Sequence, residues 1–310
     1  MMKDQFPAFR PLLGAMTAFS TVLTLSLGAS PTFAKDPFRA TNQHQIGDKT
    51  EAAFEAFFRD GNYTLGQSDL KQAELSEPNE PLVYAMEASF AYTNKDMTSL
   101  NSSSQKTLAS AQRLLATDPL RGNLYIAVGH FLEGAMILAN QGTVSGAPGA
   151  LSELQQVYNY LDRAEAVSAT DPELNLIRGY MDLMISVNVP FSSSDQAMER
   201  LAKYAGPRYL ADRGLALGQR DLGQLDAALA SVNRALQAAP NNPELYYLKA
   251  QILAKQGQNQ NNLTLFRESL KNFDIATQKK NQLPASLVAQ IERERRRVAE
   301  RLSAAPNNAG

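Results

Sequence analysis

The sequence predicts an all-α protein built from helix pairs laid one after another. Three observations predict it. Apolar residues recur at helical spacing through most of the chain, and almost no alternating strand pattern competes with them. A unit of helix, glycine turn, second helix and proline recurs: Gly61-Asn62-Tyr63 lies upstream of Ala73 and Pro78, Gly223-Gln224-Leu225 lies upstream of Ala228, Ala235 and Pro240, and Gly257 is followed by Phe266 and Leu270. The first two glycines stand 17 residues before their proline, and Gly257 stands 17 before Asp274, where the next proline would fall. Each residue type has a physical reason to be there. Glycine permits the positive φ that ends a helix, small residues let two helices approach, and proline opens a turn without continuing the helix.

In chain order, the first element is an address. Lys3 and Arg10 precede an apolar run from Leu12 to Gly28, followed by Ser30-Pro31-Thr32-Phe33-Ala34. That order is a signal peptide's, so residues 1–34 are expected to be removed by a cut after Ala34. The run falls short of the ~20 residues that span a bilayer, and no later segment approaches that length, so no membrane span is expected in the mature chain. With no cysteine for a lipid anchor, the expected location is extracytoplasmic, most simply the periplasm. Residues 35–46 are expected to be a flexible lead-in.

Helices are predicted near 48–60, 64–76, 81–94, 104–117, 122–140, 150–168, 173–187, 194–205, 208–221, 225–238, 243–256, 260–279 and 284–303. Gly61-Asn62 separates the first two, Pro78 closes the second, and Pro119, Pro172, Pro207 and Pro240 mark later turns. Asn101-Ser102-Ser103-Ser104 and Gly142–Gly149 are read as insertions that lengthen two units. The final helix carries Leu287, Ile291, Val298 and Leu302 on one face and interspersed Glu and Arg elsewhere, which predicts a capping helix docked on the last repeat. Residues 304–310 are expected to be a disordered tail.

Prolines 172, 207 and 240 are separated by 35 and 33 residues, and a tyrosine stands six residues after three prolines, at Tyr84, Tyr125 and Tyr246. The period approaches the ~34 residues of tetratricopeptide repeats, and the tyrosines occupy the slot where that pattern commonly has a large ring. From about Gly47 to Asp274 the chain therefore resembles the tetratricopeptide (TPR) family, in a cadence similar to exported repeat proteins of the cyanobacterial type. The resemblance implies a right-handed α-α superhelix over 47–280, with 281–303 as its C-terminal capping helix.

Chemistry is sparse. Thirty Lys+Arg against 31 Asp+Glu argue against general affinity for polyanions, so no nucleic-acid partner is expected. The absence of cysteine removes thiolate nucleophiles, iron–sulfur ligation and cysteine-based zinc sites. Only His44 and His130 remain as imidazoles. His130 has Glu133 three residues on but no further ligand at metal-binding spacing, so neither metal nor cofactor is expected. Gly142–Gly149 lacks the Gly-Lys-Ser/Thr of a phosphate loop, and Asp118-Pro119 and Asp171-Pro172 fit turns and caps better than paired acids. No acid and base can be paired, so no enzyme is expected.

In the resembled family the first helix of each pair lines the concave side. Carried over, this suggests a partner-binding groove of Tyr92, His130, Glu133, Tyr180, Arg213, Arg220, Tyr247 and Gln251, with Met86, Ser89, Ile126 and Leu183 beside them. Tyrosine and arginine are the residue types that most often dominate recognition. The expected function is an exported, non-catalytic scaffold binding a peptide segment or an envelope protein. A small-ligand or glycan-binding solenoid is the alternative, since concave tyrosines could stack on sugars as well.

Overall fold

A computed structural model describes residues 36–188 and 194–304. The proposed leader, 1–34, and almost all of the expected tail lie outside these residues. The described residues form thirteen α-helices and no strand. They fall into two compact units, one of residues 36–57 with Thr64–Asn175, the other of Phe58–Tyr63 with 176–188 and 194–304.

The first unit holds α1 (Asp48–Phe54), continued by a π-helical turn from Glu55, then α2 (Tyr63–Ser76) from residue 64. α3 (Pro81–Thr93), α4 (Met97–Leu114), α5 (Pro119–Ser145), α6 (Ala147–Val167) and the start of α7 (Pro172–Asn188) follow. Each of α3 to α6 packs on the next, and α3 also reaches α5. Ala88, Ala91, Leu100 and Leu132 form a core against which Tyr92, Met97, Val128 and Met136 pack. Contact between successive helices, with a second contact between alternate ones, is how a stack of helix pairs completes a core that no pair could bury alone.

The second unit repeats the scheme with the rest of α7, α8 (Asp195–Lys203), α9 (Arg208–Asp221), α10 (Leu225–Ala238), α11 (Pro243–Gln260), α12 (Leu263–Gln278) and α13 (Ala285–Ser303). Helices α8 to α13 pack in sequence, and α9 reaches α11. Ala216, Ala228, Val232, Leu248 and Ile252 form its core. Ile291 and Val298 of α13 are buried against this stack, and Arg301 lies over the Phe266 ring.

The starts of α3, α5, α7 and α11 follow one rule. Pro81, Pro119, Pro172 and Pro243 occupy the first turn, where the missing N–H costs nothing. The side chain just before accepts from a first-turn N–H: Glu80 from Leu82, Asp118 from Arg121, Asp171 from Leu174, Asn242 from Glu244. Tyr84 and Tyr246, six residues after a proline, donate to the carbonyls of Pro78 and Pro240, both at 3.0 Å.

Several expectations change. Gly61 and Gly223 have the positive φ foreseen for them, at 89° and 79°, but Gly257 lies inside α11 and Asn261 makes the left-handed turn at φ 49°. Asn101–Ser104 is no insertion: it lies within α4, where Ser103, Ser104, Thr107 and Ser110 are buried and donate to backbone or side-chain acceptors. Residues 36–46 are packed, with Phe38 and Ile46 buried and the Phe38 ring edge-on to Phe54. α5 is long and apolar enough to cross a membrane by length and composition, a length the sequence reading had denied to any later segment; half of that window is buried, as in the core helix of a stack.

Candidate functional site

The expected groove residues separate into buried structural members and a row that is partly exposed at Arg220 and Gln251 and buried at Tyr247. Met86, Ile126 and Leu183 are buried. Arg213 on α9 is 4% exposed and donates through Nη2 to Glu244 on α11 at 2.8 Å. Tyr180 donates to the Leu210 carbonyl at 2.7 Å, and burial pushes its phenol well above the usual range. These residues fasten inner helices together.

Arg220, Gln251 and Tyr247 form a continuous row across α9 and α11. Arg220 donates to Gln251 Oε1 at 2.6 Å and pairs with its neighbour Asp221. Gln251 Nε2 donates to the Tyr247 oxygen and to Glu294 of α13, both at 2.8 Å, while Tyr247 donates to Glu294 at 2.9 Å. Burial and the Glu294 carboxylate both push the Tyr247 phenol upward, so it remains a neutral donor. Glu294 was legible only as one charge among many on the final helix. Its partners come from a helix more than 40 residues away, which no local pattern reveals.

In the first unit, Tyr92 is half-buried against the apolar core. His130 and Glu133, on adjacent turns of α5, are joined by Glu153 of α6. His130 Nδ1 lies 2.8 Å from Glu153 Oε2 and 3.7 Å from Glu133 Oε2. The three ligand-type atoms all fall within 4.8 Å of one another, a constellation able to hold a metal ion. The His130 ring stacks on Tyr160 at 5.6 Å, with Arg163 over the far ring. Burial, then the neighbouring Glu153, raises the Glu133 carboxyl.

A buried ionic network joins the inner-helix starts of the first unit, and the sequence reading missed it. Arg121 is 1% exposed, donates in parallel to both oxygens of Glu80 at 3.0 and 2.8 Å, and donates through Nε to Glu173 at 3.0 Å. Tyr125 donates to Glu173 at 2.6 Å, and Arg39 reaches Asp171 and Glu173 at 2.5 and 3.2 Å. His44 Nδ1 meets Asp118. Burial raises the Glu173 carboxyl against the pull of Arg121. The two Asp-Pro pairs are the expected caps, and they also anchor this network.

No protein-family model matches the chain, and no curated protein matches it significantly. Among solved structures, the chain is similar to a human IFIT1 dimer with m7Gppp-AAAA (15% identity, TM-score 0.46, covering 78% of this chain and 55% of that one). It is similar also to a human IFIT1 dimer with PPP-AAAA (15%, 0.44, 78% and 56%) and to a monomeric IFIT1 mutant with Gppp-AAAA (16%, 0.45, 78% and 56%). The chain spans just over half the length of the structures it matches. The described residues are all-α, with helices that pack on one another in chain order within each unit. The expectation of no nucleic-acid partner does not stand: the matched proteins carry capped and triphosphate-bearing oligonucleotides, and a chain-wide balance of charge does not decide a ligand class.

Proposed function

We propose that the protein is a non-catalytic helical-repeat scaffold, exported to an extracytoplasmic compartment, that binds a peptide segment of an envelope protein on the α9–α11 face. The row Arg220, Gln251, Tyr247 and Glu294 carries the reading. It joins three helices in one line of alternating donors and acceptors, buried at Tyr247 and partly exposed at Arg220, Gln251 and Glu294, whose polar groups an extended backbone with its own N–H and C=O groups can engage in their place. Arginine and tyrosine add the residue types that anchor interfaces.

Capture from an envelope extract by the leaderless chain tests this. A specific band is expected, weakened at least about tenfold by Arg220→Ala or Gln251→Ala with the helical circular dichroism unchanged. Capture indifferent to both substitutions rejects the proposed face. A saturable tyrosine fluorescence change with peptidoglycan fragments, and no protein band, would point to a glycan ligand instead.

A further inference from the structure

We propose that His130, Glu133 and Glu153 form a binding site for a first-row divalent metal ion of the zinc type, bridging α5 and α6. The evidence is geometric. Ligand bonds of about 2.1 Å place the corners of a tetrahedral site about 3.4 Å apart. Here His130 Nδ1 stands 2.8 Å from Glu153 Oε2 and 3.7 Å from Glu133 Oε2, and no ligand pair exceeds 4.8 Å. Small side-chain rotations open the 2.8 Å pair to fit an ion. One imidazole and two carboxylates suit zinc, cobalt or manganese, and they leave a further position for water.

Features outside the ligands favour the site. Gly134, next to Glu153 across the helix pair, is where α6 comes close: a Cβ there would lie 3.3 Å from the Glu153 Cβ. Tyr160 fixes the plane of the imidazole by stacking on it. The three ligand side chains are 21–29% exposed, so most of their hydration is already lost while an ion can still enter from solvent. Residues 134–152 contain no charged side chain, so no ammonium or guanidinium from the tip of the helix pair competes for the carboxylates. Arg163 lies over Tyr160. Two carboxylates supply negative charge that a dication neutralises.

The chain has only two histidines, which makes the test direct. The full chain, freed of metal by chelator, is titrated with Co2+ and Zn2+. One ion per chain is expected, with Co2+ developing visible ligand-field bands and Zn2+ shifting the imidazole resonances of one histidine while leaving the other, His44, in place. Metal is expected to raise the melting temperature, because it binds the native state alone. His130→Ala and Glu153→Gln should each weaken binding by about 100-fold, whereas Glu199→Gln on α8 should not change it. Should a variant fail to fold, the histidine resonances of the unaltered chain decide the matter. Absence of saturation up to millimolar metal, shifts at His44 in place of His130, or binding that survives His130→Ala would each overturn the site, leaving His130 as a plain ion-pair partner of the two glutamates.

Discussion

Arg121 and Glu80 meet through two parallel hydrogen bonds inside the first unit, and Arg121 then turns its Nε to Glu173. One guanidinium thereby links the starts of α3, α5 and α7.

Removing that guanidinium takes the counter-ion from buried Glu80 and leaves buried Glu173 with only Arg39 and Tyr125. Arg121→Met is expected to cost about 3–5 kcal/mol, read from the midpoint of urea unfolding. Arg121→Lys should recover only part of this, because an ammonium cannot make the parallel pair. Equal stabilities for the three chains would mean that the network contributes nothing.

Glu87 on α3 gives a pH-dependent prediction. Burial first, then the nearby Glu74, raises its carboxyl to about 7, with Lys106 opposing. A carboxyl raised in the folded state binds its proton more tightly there than in the unfolded chain, so its contribution weakens as pH rises from 4.5 toward 7. Glu87→Gln, a mimic of the protonated form, should therefore stabilise by about 1 kcal/mol at pH 8, the side chain being only half-buried, and change little at pH 4. Thermal melts of both chains across that range should converge at the acid end.

The two repeated tyrosine bonds differ in burial. Tyr84→Phe removes a bond at a buried ring and should cost about 1 kcal/mol, whereas Tyr246→Phe, with its hydroxyl exposed, should be close to neutral. Paired chemical denaturation curves check the difference.

Two glycines separate crowding from backbone conformation. A Cβ on Gly122 would lie 2.8 Å from the backbone of Leu115, so Gly122→Ala should cost about 3 kcal/mol or more as helices α4 and α5 are forced apart. Gly142 faces open space but holds φ at 78°, and Gly142→Ala should cost only about 1 kcal/mol. Similar losses at both positions would refute the account of how α4 and α5 touch.

Local signals made most helices legible. The predicted spans 208–221 and 225–238 coincide with α9 and α10, because glycine and proline punctuate that pair on both sides. Where punctuation was ambiguous, the reading slipped. Gly257 resembled a turn but serves close packing against Phe266, and α11 ran on to Asn261. The serine run in α4 looked like a loop because serine disfavours helices in isolation, yet buried Ser103 donates to the Glu87 carboxylate of α3 and Ser104 to the Gly129 carbonyl of α5. The candidate sites were half legible. Arg220, Tyr247, Gln251, His130 and Glu133 follow from the resemblance to a repeat family whose first helices line the concave side, whereas Glu294 and Glu153 join them from other helices and carry no motif.

The lead-in around Arg39 and His44 changes how the first unit should come apart. A linear stack can melt from either end, one layer at a time. Here a short stretch of chain is riveted at once to Asp118 and to Asp171, far along the sequence, so loosening the last layer also loosens the first. Such a clasp converts gradual peeling into an all-or-none event, with amide exchange in α1, α3 and α5 governed by a single shared opening.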